Sequence, residues 1–396
     1  MKGTLTRCRG LLVALALLHP ISTSAADPSS GAPAAGRKDA ETARTMAEMV
    51  ATLEYLLPLS YDRERFAAPS EREAIASHLT LLARQSQRLQ EHAGSRGAAF
   101  DSLSRSLADD AREIQERYAE GRPDEARFLL HELTDACVAC HSRLPDAASR
   151  PLGRRLADLP AVRELPLDER VRIEAATRQF DRALDTYEEL FASDRLTPQD
   201  LDLGGYLDTY VELCLRVRRD PERPRKALER LAVRKDVTKA EREVLLAWIA
   251  SLRELAARKP LPDPIAEGEA LLQLATEGSR YPDDRRALVT YVAASGEFHR
   301  ALAAGNLDAA RRAQAYYGLG LVESRVGRAF WLSETEDLLE AAIRTDPGGP
   351  WAEPSYKLLD EFIASGYTGS AGSSVPPEVQ ARLDELRALI DASHPS

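Results

Sequence analysis

The sequence predicts an all-α protein, with a four-helix bundle followed by an α-solenoid of helix pairs. Two observations carry this. From about residue 41 onward, apolar residues recur at three- and four-residue steps with few β-branched runs, which is the period of a helix and not of a strand. Four such stretches of similar length, joined by short breaks, fill residues 41–147, the pattern of an up-down-up-down bundle.

The chain opens on MKGTLTRCRGLLVALALLHPISTSAA, residues 1–26. Lys2, Arg7 and Arg9 precede the short apolar core LLVALALL, and Thr23 to Ala26 are small residues suited to cleavage. This order predicts a secretory signal peptide. The core is too short to span a bilayer, which needs ~20 apolar residues. Cys8 is expected to leave with the peptide. No other long apolar run follows, so an exported, periplasmic protein without membrane insertion is expected. Residues 27–40, DPSSGAPAAGRKDA, read as a flexible leader.

The first bundle helix is predicted from Glu41 to Leu57, with Met46, Met49, Val50, Leu53 and Leu57 on one stripe and Pro58 as its stop. The second follows Ser70, which with Glu73 makes a capping-box pattern. It carries Ile75, Leu79, Leu82 and Leu89, and AGSRGA breaks it. The third starts near Asp101, carries Leu107, Ala111, Ile114 and Tyr118, and ends at Gly121. The fourth follows Pro123 with Phe128, Leu129, Leu133, Cys137 and Cys140, and ends before Pro145.

A proline-containing linker is expected over 148–166. Helices are then expected over 168–193, 198–218, 221–233, 238–257, 264–277, 283–304, 307–327, 334–345 and 350–365. In AYYGLGLVESRVGRA, residues 315–329, the pair Tyr316-Tyr317 with Leu319 and Gly320 resembles the first helix of a tetratricopeptide repeat. Ala341, Ala342 and Pro347 fall where the second helix would put them. The region 167–365 is read as tetratricopeptide-like, where the resemblance implies a concave surface for a partner protein; a plain helical domain with no ligand groove is the alternative. A Gly/Ser-rich linker over 366–376 and a last helix over 377–392 complete the chain.

Composition excludes several classes. The formal net charge of −10 disfavours nucleic acid as a partner. The basic residues are nearly all arginine and scattered, so no polybasic block faces a membrane. Past the signal peptide only Cys137, Cys140 and Cys214 remain, too few for a disulfide scaffold. Cys214, on an apolar helix, is expected as a small buried residue. Tyr206, Tyr210, Trp248, Trp331 and Trp351 are expected as packing residues.

The chemistry is concentrated in DACVACHSRLP, residues 135–145. A structural zinc needs four ligands, and no second C-x-x-C is present. Thiol–disulfide exchange places its cysteines at a helix N-terminus, whereas these lie near a helix end. C-x-x-C-H is the signature of covalent haem attachment: Cys137 and Cys140 bond the porphyrin vinyl groups, and His141 is the proximal iron ligand. One covalent haem c is expected.

A four-helix bundle with this motif near the end of its fourth helix resembles the class II c-type cytochromes, the cytochrome c prime family. The matching run is FDSLSRSLADDAREIQERYAEGRPDEARFLLHELTDACVACH, residues 100–141. The resemblance implies haem binding by Cys137, Cys140 and His141. It also implies that electron-transferring members use a helix-one methionine on the distal side. Met46 is the preferred ligand and Met49 the second candidate. At 1.5 Å per residue, Met46 and His141 each lie ~6–8 Å from one bundle end. His92 is the rival and reads as a surface residue. His78 and His131 fall toward the far end, and His299 and His394 are expected at the surface.

The function expected is a periplasmic monohaem c-type cytochrome that transfers single electrons, its helical repeat domain docking a redox partner protein. The alternative is a five-coordinate haem protein binding or sensing nitric oxide or carbon monoxide. An adaptor with a structural haem is a third reading. No nucleophile constellation, phosphate loop, paired carboxylates or distal acid–base pair favours an enzyme. Many relatives dimerise, so a homodimer is possible.

Overall fold

The computed structural model describes residues 34–91, 98–143, 151–327, 334–370 and 372–393. The signal-peptide pattern at 1–26, His92, Trp331 and His394 lie outside the described residues. Among those described, regular structure is all helical apart from one hairpin of two-residue strands, Thr368–Gly369 and Gly372–Ser373. No described helix is long and apolar enough to cross a membrane.

Helix α1 (Ala34–Ser60) carries the expected stripe but is longer at both ends. It begins inside the segment expected as a leader and runs through Pro58. A proline removes one helical hydrogen bond. So near the end the helix tolerates that loss, and its last carbonyls are capped: the Ser60 hydroxyl donates to the Leu57 carbonyl at 2.8 Å, and the Asp62 N–H donates to that of Leu59 at 3.0 Å. Helix α2 (Arg63–Ala67) is N-capped by Asp62. Its Phe66 meets Tyr118 edge-on at 5.4 Å.

Helix α3 (Arg72–Glu91) starts one residue later than the Ser70 pattern placed it: the Ile75 N–H donates to the Glu71 carbonyl, which makes Glu71 the N-cap. Helix α4 (Ala98–Ala119) ends at the expected glycine. Gly121 has φ +78°, and the Arg122 and Gly121 N–H groups donate to the carbonyls of Arg117 and Tyr118, a Schellman cap. Helix α5 (Pro123–Arg143) carries the C-x-x-C-H run in its last turns. Leu56, Leu79, Leu82, Ala111, Ile114 and Leu130, drawn from α1, α3, α4 and α5, are fully buried in one core. Polar links join the same helices. The Thr52 hydroxyl donates to Gln85 Oε1 at 3.0 Å, and His131 Nε2 lies 2.9 Å from the Ser60 hydroxyl.

The described part of the expected linker, from residue 151 on, is mostly helical. Helices α6 (Pro151–Ala157) and α7 (Pro160–Arg163) bury Leu156 and Val162 in the core that α1, α3, α4 and α5 share. Those apolar side chains pin the segment down despite its prolines. Two expected long helices are also broken. In place of one helix over 168–193 stand α8 (Leu167–Ala176) and α9 (Phe180–Ala192), separated at Arg178, which has φ +62°. In place of one over 198–218 stand α10 (Pro198–Leu203) and α11 (Tyr206–Glu212), separated at Gly205 with φ +73°, and α11 runs on into a π-helical stretch, Leu213–Arg218. The apolar period survives these left-handed residues, so periodicity alone does not reveal them.

The remaining helices fall close to expectation: α12 (Glu222–Ala232), α13 (Lys239–Ala257), α14 (Pro264–Gly278), α15 (Leu288–Ala304), α16 (Ala309–Val326), α17 (Thr335–Thr345), α18 (Ala352–Gly366) and α19 (Pro377–Ser393). Sequence neighbours pack together from α14 through α18. Small residues allow the close approach. The Phe298 ring lies between Gly268 and Gly318, where an added Cβ would come within 2.8 Å and 2.5 Å of it. A Cβ at Gly320 would meet Leu339 of α17 at 2.6 Å. Trp248 is fully buried and donates its indole N–H to the Arg285 carbonyl. Cys214 is fully buried, as expected, and burial pushes its thiol far above the usual range.

His299 departs from expectation. It is half-buried, and its Nε2 is shielded from solvent without a hydrogen-bond partner. Burial first, then the neighbouring Arg216 and Arg143, hold it neutral, well below the usual histidine range. The described residues from Thr42 onward form one compact unit, and the opening turns of α1 lie outside it. Within the larger unit, α5 packs on α8 and on the π-helical stretch, and α4 packs on α17.

Candidate functional site

The last turns of α5 are held from two sides. Leu133, Ala136 and Cys140 face the core that includes Met46, Met49 and Leu53 of α1 and Leu89 of α3. Val138, one of the two residues between the cysteines, faces a different core with Val171, Tyr187 and Tyr210. A helix at 100° per residue presents opposite faces this way. The C-x-x-C-H run therefore lies at the seam between α1–α5 and the helices that follow.

The structure brings Met46, Met49 and Cys140 into one apolar cluster, with Met49 buried and Met46 half-buried. Neither Cys137 nor Cys140 is in a disulfide. Burial pushes the Cys137 thiol up to about 12, and Cys140 and Asp135 add to the shift. A thiol held protonated is a poor nucleophile, so this is the opposite of a dithiol poised for disulfide exchange.

His141 turns toward α8. Its Nδ1 lies 2.8 Å from the Ala176 carbonyl oxygen. A carbonyl only accepts, so Nδ1 carries the hydrogen, and in the neutral ring the lone pair is then on Nε2. Metal-bound histidines commonly make such a bond from their other ring nitrogen, which fixes tautomer and ring orientation.

Charge collects beside the motif. Arg143 is buried and reaches Glu323 of α16 at 3.2 Å and also Glu334. Arg216, from the π-helical stretch, lies 3.6 Å from the same Glu323. Burial pushes Glu334 up to about 7 against the pull of Arg143. On the outer face of α5, Asp135 is 3.1 Å from Arg172, which sits over the Tyr206 ring. Asp135, Val138, Arg143, Arg172 and Tyr206 line a polar cavity of ≈ 190 Å³. A larger groove of ≈ 540 Å³ between α3 and α4 is lined by Leu81, Arg84, Arg88 and Arg112, and by none of the motif residues.

His78 stacks on Tyr55, in the C-terminal half of α1, at 4.0 Å, and His131 on Tyr61, just past the end of α1, at 4.4 Å. Burial, then Arg127, lowers His131 to about 4. Sequence reasoning missed two partners of the motif, the Ala176 carbonyl and the Arg143–Glu323–Glu334 group. No local pattern marks a backbone acceptor 35 residues away. Arg143 was visible only as a basic residue after the histidine.

The residues present fit a covalently held haem. Two thiols outside any disulfide stand three apart on one helix, the next residue is an imidazole with a fixed tautomer, and Cys140 packs against the same apolar cluster as Met46 and Met49. Among the described residues, no group of three or more His, Cys, Asp or Glu side chains is set to hold a metal ion. No protein-family model, curated protein or solved structure matches this chain.

Proposed function

We propose that this chain is an exported monohaem c-type cytochrome that passes single electrons to or from a protein partner. In this reading residues 41–147 are a class II type four-helix bundle. The helices from Leu167 onward are a tetratricopeptide-like solenoid that docks the redox partner. Cys137 and Cys140 hold the haem through thioethers, and His141 ligates iron through Nε2. Met46 is the candidate sixth ligand, with Met49 packing beside it or taking its place.

The observation that carries this is the C-x-x-C-H run at a helix end with the His141 Nδ1–H committed to a backbone carbonyl. The cluster that joins Met46, Met49 and Cys140 supports the distal assignment. Haem supplies a one-electron couple whose potential the protein sets through axial ligand, burial and hydrogen bonding. The chain's own residues back Cys140 with an apolar cluster that includes Met46 and Met49 and orient the His141 ring, and the chain as a whole carries a net charge of −10. A basic partner surface would complement it, and the attraction would weaken with salt.

The test is the optical spectrum of the matured protein, oxidised and reduced, with and without carbon monoxide. A low-spin spectrum indifferent to carbon monoxide, and altered by Met46→Ala or Met49→Ala, is the expected result. A high-spin spectrum shifted by carbon monoxide moves the function to gas binding. Absence of covalent haem refutes the reading.

A further inference from the structure

Helix α8 ends in a turn that has no glycine. The Gln179 N–H donates to the Glu174 carbonyl at 2.8 Å and the Arg178 N–H to that of Ala175 at 3.0 Å. Arg178 itself is left-handed at φ +62°. This is a Schellman cap with arginine where glycine is the unstrained choice. The neighbouring carbonyls are also satisfied. Ile173 accepts from the Thr177 N–H and hydroxyl, and Thr177 accepts from Gln179 Nε2 at 2.9 Å. The Ala176 carbonyl accepts from His141 Nδ1 at 2.8 Å.

Thr177, Arg178 and Gln179 are all buried. Gly153 of α6 supports the turn so closely that an added Cβ would lie 2.2 Å from the Thr177 carbonyl oxygen. A non-glycine residue held left-handed in a buried turn persists only where its surroundings enforce it, and such residues cluster at functional sites. This one delivers a carbonyl from the negative end of a helix to the ring nitrogen of the proposed iron ligand.

We infer that the Ala176–Gln179 turn is the positioning element of His141, and that through it the segment after the bundle sets the reduction potential of the haem. The inference rests on the haem attachment proposed above. A hydrogen bond from Nδ1 to a carbonyl raises the basicity of the ligating imidazole, which favours ferric over ferrous iron. Loosening the turn therefore raises the potential. Any partner that shifts α6 or α8 would move it in the same way.

Three variants of the haem-loaded chain test this. Gly153→Ala places a methyl against the Thr177 carbonyl. Arg178→Ile puts a β-branched residue where φ is positive. Arg178→Gly removes the same side chain but keeps the turn. The first two are expected to raise the midpoint potential by about 59 mV, a tenfold shift in the ferrous-to-ferric ratio of a one-electron couple. Arg178→Gly is expected to leave it near wild type. In proton NMR of the ferric protein, the His141 Nδ1–H should exchange slowly with solvent in wild type and Arg178→Gly, and rapidly in the other two. If Gly153→Ala does not fold, the two Arg178 variants still decide. An unmoved potential with unchanged exchange in folded, haem-loaded Arg178→Ile overturns the inference and leaves the cytochrome reading standing. Absence of covalent haem in wild type overturns both.

Discussion

Replacing Arg143 by methionine should destabilise the protein in a pH-dependent way. The Arg143 guanidinium is buried between Glu323 and Glu334. Glu323 keeps Arg216 at 3.6 Å when Arg143 is gone, whereas Arg143 is the one ion-pair partner of Glu334 among the described residues. Breaking a buried pair by removing one member costs about 3–5 kcal/mol, because the remaining charge is uncompensated. Glu334 is already pushed up from 4.5 to about 7 by burial, with Arg143 pulling it down, so losing Arg143 raises it further. A carboxyl whose folded pKa lies above its unfolded value contributes stability fully present below the unfolded pKa and lost as pH rises through the folded one. At pH 5 Glu334 in the variant takes up a proton and avoids the bare charge, leaving a loss of about 1–2 kcal/mol from the broken hydrogen bonds. At pH 8.5 it is ionised or held neutral against the solvent pH, and the loss approaches the full 3–5 kcal/mol. Urea unfolding of wild type and Arg143→Met at the two pH values, followed by far-ultraviolet circular dichroism, measures the difference. Equal losses at both pH values would refute the reasoning.

Gly318→Ala puts a methyl 2.5 Å from the Phe298 ring and should cost about 1–3 kcal/mol by overpacking; an unchanged urea midpoint would contradict this. Gly121→Ala meets no neighbouring atom but must adopt φ +78°, so a smaller loss of about 1 kcal/mol is expected, with Gly121→Asn milder in the same assay. His131 is lowered to about 4, first by burial, so the neutral ring contributes stability that is present above pH 6.5 and lost as pH falls toward 4. Acid titration of His131→Phe should show a shallower decline over that window, and an unaltered acid limb would count against it. Ile114 is fully buried, and Ile114→Ala should cost about 2–5 kcal/mol in thermal or urea unfolding.

Helical periodicity revealed nearly every element, because each helix buries one stripe and that stripe is written at three- and four-residue steps. The glycine after α4 was equally legible, since Gly121 sits where a left-handed residue must. Pro58 misled because the stop rule is strong in a helix interior and weak in its final turn. The linker over 148–166 misled because its prolines are visible locally, whereas the burial of Leu156 and Val162 depends on a core built from distant helices. His299 looked like a surface residue because nothing nearby in the sequence announces Arg143 and Arg216.

The candidate site divides along the same line. Cys137, Cys140 and His141 are adjacent in sequence, so their chemistry is readable as a string, and the turn of the helix that carries them sets their spacing. That Met46 and Met49 share an apolar cluster with Cys140 was reachable because the pattern of apolar stripes places the start of one helix beside the end of another. The bond from His141 to Ala176 and the ion group around Arg143 were not readable. Both join segments far apart in the chain, and both depend on two helix surfaces meeting at a particular angle. Periodicity says which side of a helix is buried, but only the packed structure says what it is buried against.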